Sequence, residues 1–148
     1  MAPENTNPTG YAPVGGCLVV GRRRQYPPAG WTDVKTVDEV LSGEAASALR
    51  EYKRSVQLAL PGVEKLILFG SRARGEARPD SDYDVAVLLR DDADVPLVRR
   101  TLSDLAYTHV LNGFFVRPIP LPPGYLDTGA KPPTELAEAI LRDGAEVT

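Results

Sequence analysis

The sequence predicts one α/β domain, and three observations carry that expectation. Two apolar runs, Leu66 to Phe69 and Tyr83 to Leu89, are separated by a polar, turn-forming stretch, as two adjacent strands would be. Segments in which apolar residues recur at helical spacing lie on either side of them. The chain of 148 residues, 43% of them hydrophobic, suffices for one modest core rather than two domains.

Taken in order, residues 1–35 are rich in Pro, Gly, Asn and Thr, with a brief apolar run at Leu18-Val19-Val20, and read as an irregular arm. Trp31 is the residue that could anchor its end. A domain over residues 36–148 follows. Thr36 and Glu39 have the spacing of a capping box at a helix start. Val40, Leu41, Ala45, Ala48, Leu49, Tyr52, Val56, Ala59 and Leu60 then form a helical stripe, with Gly43 placed to divide it and Pro61-Gly62 to end it. The run Leu66-Ile67-Leu68-Phe69 has the continuous apolar character of a strand covered on both faces. Pro79, Asp80 and Ser81 form turns, so the strand Tyr83 to Leu89 is expected to pair with it as a hairpin. A helix carrying Leu97, Val98, Leu102, Leu105, Ala106 and Val110 comes next, with Gly113 as its left-handed C-terminal residue. The third strand, Phe114 to Leu121, holds Pro118 and Pro120, which lack amide donors and so suit an edge. After a Pro- and Gly-rich loop, Pro133 to Arg142 is a short helix ended by Gly144. The order is helix, strand, strand, helix, strand, helix.

Charge and composition exclude several function classes. With 17 Lys and Arg against 20 Asp and Glu, the net charge of -3 argues against nucleic-acid binding through bulk positive charge. Arg22-Arg23-Arg24 is the one local basic run, and such runs are commonly solvated. Cys17 is the only cysteine, which leaves no disulfide framework or thiolate cluster. No segment has the apolar length of a membrane span, and the first residues lack the order of a secretory signal. A cytoplasmic protein is expected.

Chemistry concentrates between Gly70 and Asp84. On a strand, Asp82 and Asp84 project to the same face. Two carboxylates so close repel unless a cation sits between them, and an oxygen-preferring divalent ion such as Mg²⁺ fits that need. The pair would form half of a two-metal site for in-line phosphoryl or nucleotidyl displacement. Gly70 allows the backbone to approach a phosphate closely. Ser71 offers a hydroxyl and an N–H, a short helix over Arg72 to Gly75 would turn further N–H groups toward an anion, and Arg72 and Arg74 add fixed positive charge. A Gly-Ser turn or an Asp-x-Asp pair alone is commonplace. Together, flanked by apolar strands, they point to a nucleotide and metal site. His109 falls next to an apolar stripe and Tyr83 points away from the aspartates, so both read as packing residues.

Gly70-Ser71-Arg72-Ala73-Arg74-Gly75 with Ser81-Asp82-Tyr83-Asp84-Val85-Ala86-Val87 resembles the signature of the DNA polymerase beta-like nucleotidyltransferase superfamily, most closely its minimal nucleotidyltransferases. The resemblance implies a small mixed β-sheet flanked by helices, the nucleotidyltransferase fold. It implies nucleotide phosphates held at Gly70 and Ser71, with Asp82 and Asp84 as catalytic residues and ligands of two Mg²⁺, and ATP as substrate. It also implies a protein partner, since many such small proteins are antitoxins that adenylylate a HEPN-type toxin.

The family pattern usually places a third acidic residue on the next strand. Here that strand reads Phe114-Phe115-Val116-Arg117-Pro118-Ile119-Pro120-Leu121 and contains no acid; Asp104 and Asp127 lie outside it. Arg117 could face the site instead, where a cation repels a second Mg²⁺ and attracts phosphate. Three outcomes stay open: a slow enzyme, an enzyme completed by its partner, or a nucleotide-binding relic. Three functions are weighed: a nucleotidyltransferase acting on a protein, one acting on a small molecule such as an antibiotic, and a non-catalytic binder that neutralises a partner by contact.

Overall fold

The computed structural model describes residues 34–90, 94–127 and 132–148. The irregular arm read over residues 1–35, with Cys17, Arg22-Arg23-Arg24 and Trp31, lies outside the described residues except for its last two positions.

A five-stranded mixed sheet organises the described residues. Its strands are β1 (Lys35–Thr36), β2 (Val63–Phe69), β3 (Tyr83–Leu89), β4 (Val116–Leu121) and β5 (Ala145–Glu146), in the spatial order β1-β5-β2-β3-β4. β2 and β3 pair antiparallel, as the hairpin expectation required, and β4 joins β3 in parallel. β4 is the sheet edge, where the missing amides of Pro118 and Pro120 cost least. The two-residue strands β1 and β5, absent from the sequence reading, pair parallel with each other, and β5 pairs antiparallel with β2.

The helices are α1 (Val37–Val40), α2 (Gly43–Ala59), α3 (Ser71–Arg74), α4 (Val95–Leu111) and α5 (Glu135–Asp143). The capping box at Thr36 forms: its backbone N–H donates to Glu39 Oε2 at 3.0 Å. The stripe breaks at Leu41-Ser42 rather than at Gly43. Ser42 accepts from the Ala45 N–H and caps α2, so Gly43 becomes that helix's first residue. Asp94 caps α4 through Leu97 N–H, and Gly113 beyond its end has φ +83, as expected of the left-handed position.

Alternation along the strands sends side chains to two cores. On one face Leu66, Leu68, Val85, Val87 and Leu89 meet Leu49, Tyr52 and Val56 of α2 and Val98 and Leu102 of α4. On the other, Ile67, Phe69, Ala86 and Leu121 meet Ala137 and Ile140 of α5. The central strands are buried on both sides, which explains their unbroken apolar runs. His109 stands edge-on to Tyr52, with ring centroids 5.7 Å apart, and is a packing residue as expected.

Candidate active site

One end of the sheet collects the chemistry. β2 finishes there at Phe69, and β3 begins there, because the two run antiparallel. β4 also begins there, because it runs parallel to β3. Register then places Asp84 between Phe69 on one side and Arg117 on the other. Cross-strand partners project to the same face, so Asp84 and Arg117 share the face that carries α5.

Gly70 leaves β2 with φ 79 and ψ -158, backbone angles open essentially to glycine alone. A methyl at this position would lie 2.8 Å from Asp84 Oδ2. The turn therefore lies close to the carboxylate, and a side chain here would be strained by the backbone angles and press on Asp84 Oδ2. Ser71 follows as the first residue of α3 and is half-buried. Gly70 of the Gly-Ser turn and Asp84 of β3 thus lie side by side.

The other predicted site residues occupy distinct positions. Asp82 is exposed and precedes the first residue of β3 rather than lying within the strand. Arg72 clips the connecting loop: its Nη2 donates to the carbonyl oxygens of Ser81 at 2.9 Å and Pro79 at 3.2 Å. The same guanidinium lies 4.3 Å from the centroid of the Tyr83 ring, which in turn packs on Phe114 at 4.2 Å. Arg72 so fixes the backbone immediately before Asp82. Arg74 donates to Glu76 at 3.0 Å and to Asp143 at 3.1 Å, which makes it a link from α3 to α5. Hydrogen bonds to these two carboxylates hold its guanidinium pKa above the ordinary value.

Asp143 escaped the sequence reading. Its carboxylate is buried, takes Arg142 Nε at 3.0 Å as well as Arg74, and is held below the usual carboxylate pKa chiefly by the Arg142 hydrogen bond. The available signal was an acid in the last turn of a helix, where the helix dipole disfavours negative charge and a cationic partner is required.

Arg117 gives the site its distinctive electrostatics. Its Nε donates to Asp84 Oδ1 at 2.7 Å, and the Asp84 side chain is only 17% exposed. Carboxylate oxygens are the hard donors that a divalent cation prefers, and Asp82 and Asp84 offer donors of that chemistry. Two ions would need Asp84 to bridge, and one of its oxygens already serves Arg117. Among the described residues, no group of three or more His, Cys, Asp or Glu is placed to hold a metal.

Residues 49–117 match the family model described as the nucleotidyltransferase domain. The matched segment is similar to nucleotidyltransferase domains. It spans α2 to β4 and contains the Gly-Ser turn, both aspartates and Arg117. No sequence match is found among curated proteins. Among solved structures, a chain of a toxin–antitoxin complex with AMP-PNP is 22% identical, with 67% of this chain and 72% of that chain covered and a TM-score of 0.46. A candidate nucleotidyltransferase from Sulfolobus solfataricus is 20% identical over 79% of this chain and 90% of its own, with a TM-score of 0.48. A chain of the tri-AMPylated Shewanella oneidensis HEPN toxin in complex with MNT antitoxin is 22% identical over 71% and 70%, with a TM-score of 0.44. No helix among the described residues is long and apolar enough to cross a membrane.

Proposed function

We propose that this chain is a nucleotidyltransferase that moves the AMP group of ATP onto a hydroxyl of a protein partner, in the manner of an antitoxin acting on a HEPN-type toxin. The observation that carries the reading is the closeness of Gly70 to Asp84, where an added methyl would lie 2.8 Å from Oδ2, which brings a phosphate-sized turn to a carboxylate inside the matched segment. The acceptor class follows the resemblance of the Gly70–Gly75 and Ser81–Val87 motifs to the minimal nucleotidyltransferases.

The transfer is a displacement at the α-phosphorus. The acceptor oxygen forms a bond to that phosphorus, the bond to the bridging oxygen breaks, pyrophosphate leaves, and the acceptor proton passes to water. The Gly70-Ser71 turn holds the phosphates, since its glycine allows them to come close to the backbone. Asp82 and Asp84 would hold a divalent cation, whose chemistry is to neutralise charge developing on the phosphoryl oxygens. Arg72 keeps Asp82 in place through the Ser81 carbonyl. Without a carboxylate on β4 to take the acceptor proton, the rate stands about 10²- to 10⁴-fold below that of an enzyme with a positioned base.

A second reading is favoured by the Arg117–Asp84 ion pair, which occupies an oxygen of the acidic pair: nucleotide binding without turnover, with the partner neutralised by contact. Incubation with ATP, Mg²⁺ and the protein encoded by the neighbouring gene separates the two. Transfer predicts a nucleotidyl increment in the partner's intact mass, lost in Asp82→Asn and Asp84→Asn. An unchanged mass in a partner that is still bound and silenced establishes the contact reading.

A further inference from the structure

Within the nucleotidyltransferase reading, we infer that Arg117 serves as a built-in cation in place of a second metal ion, so that the site takes one divalent cation and takes it with the nucleotide. Three observations support this. Arg117 lies in register with Asp84 on the adjoining parallel strand, so its side chain rises from the same face at the same level. Its Nε is 2.7 Å from Asp84 Oδ1, a short charge-assisted hydrogen bond. The second oxygen, Oδ2, lies toward the Gly70 turn, where an added methyl would come to 2.8 Å, and is the one left for an ion. Asp84 is therefore not free to bridge two ions.

Charge counting points the same way. Asp82, Asp84 and Arg117 sum to one net negative charge. A fixed guanidinium already neutralises one carboxylate, and its repulsion of a divalent ion beside Asp84 adds with each ion bound. Mg²⁺ is commonly held by one or two carboxylates together with substrate phosphates, an arrangement this residue set supports. The guanidinium is 62% exposed on its side chain and reaches the site from the solvent side, so it can also face an incoming polyphosphate. The same charge that keeps a second metal out thereby attracts the nucleotide.

Binding of Mn²⁺, followed by electron paramagnetic resonance, tests the inference without reference to turnover. With Mn²⁺ alone, the wild-type chain is expected to bind weakly, and Arg117→Gln to bind about tenfold more tightly through release of Asp84. With a non-hydrolysable ATP analogue at saturation, the wild type is expected to hold one Mn²⁺ per bound nucleotide and Arg117→Asp two. Asp84→Asn in the Arg117→Gln background should remove the gain, which locates the ion at this pair. Two ions per nucleotide in the wild type overturn the inference, as does an Arg117→Gln chain that binds Mn²⁺ no better than wild type. Absence of nucleotide binding strikes the transferase reading instead, and the comparison with Mn²⁺ alone still decides the role of Arg117. Arg117→Gln keeps a polar side chain at an exposed position, and an unchanged circular dichroism spectrum separates its effect from misfolding.

Discussion

Gly70 is the residue on which the site's geometry turns. Its φ of 79 with ψ of -158 is accessible to glycine and strained for any other residue, at a cost of about 1–3 kcal/mol. The added methyl of alanine would also meet Asp84 Oδ2 at 2.8 Å. Gly70→Ala is therefore expected to lower stability by about 1–3 kcal/mol and to weaken nucleotide binding, as measured by urea unfolding and by calorimetry with an ATP analogue. Retained affinity would separate the turn from the phosphates. Asp82→Asn, at an exposed position before β3, should leave stability within about 0.5 kcal/mol of wild type while removing transfer. At this scale the sequence was informative where chemistry is local. The adjacency of Gly70 and Asp84 was readable because a turn that ends one strand of a hairpin faces the start of the next. The roles of Arg72 and Arg74 were less accessible, because an arginine's reach is set by tertiary neighbours. Arg74 finds Asp143, 69 residues away in sequence, and spacing cannot announce such a partner.

Among the elements, α3 and α5 are coupled to each other through charge. Asp143 ends α5 and joins its own neighbour Arg142 to Arg74 of α3. Because the folded protein holds this carboxyl below the usual value of 3.8, the contribution is complete above that pH and is lost as pH falls through the lower folded value. Acid unfolding is thus expected to show a component below pH 3.8 that Asp143→Asn lacks, when thermal midpoints are compared across pH. At neutral pH the variant should cost about 1–3 kcal/mol, the scale of hydrogen bonds to a charged group. Equal acid sensitivity in both proteins would assign that component to other carboxyls. The long elements were legible because their apolar periodicity extends over several turns or a full strand. β1 and β5 were not, because two residues carry no period and their pairing is long-range: Lys35 meets Ala145 across almost the whole described chain. The helix break moved from Gly43 to Ser42 for a related reason. A serine that satisfies the Ala45 amide sets the boundary more firmly than the glycine after it.

For the whole molecule, the sheet separates stability from chemistry. α2 and α4 cover one face and make the larger core, whereas Asp84 and Arg117 share the opposite face at one end. Tyr52 shows how the first face is closed: it is fully buried, and its hydroxyl donates to the Leu102 carbonyl oxygen at 3.0 Å, joining the two helices. Burial raises the pKa of that phenol well above its ordinary value, so it stays a neutral donor. Tyr52→Phe is expected to cost about 1 kcal/mol for the lost hydrogen bond. Leu102→Ala should cost about 2–5 kcal/mol, since it empties a fully buried position between the helices and the sheet. Both losses should appear as earlier urea midpoints, whereas nucleotide affinity, measured well below those midpoints, should be unchanged. A parallel fall in affinity would show that strain in the helical face reaches the Gly70 turn through β2, whose alternating side chains feed both cores. Retained affinity would confirm that β2 and β3 isolate the site from the packing that stabilises it, which leaves the site free to vary without loss of the fold.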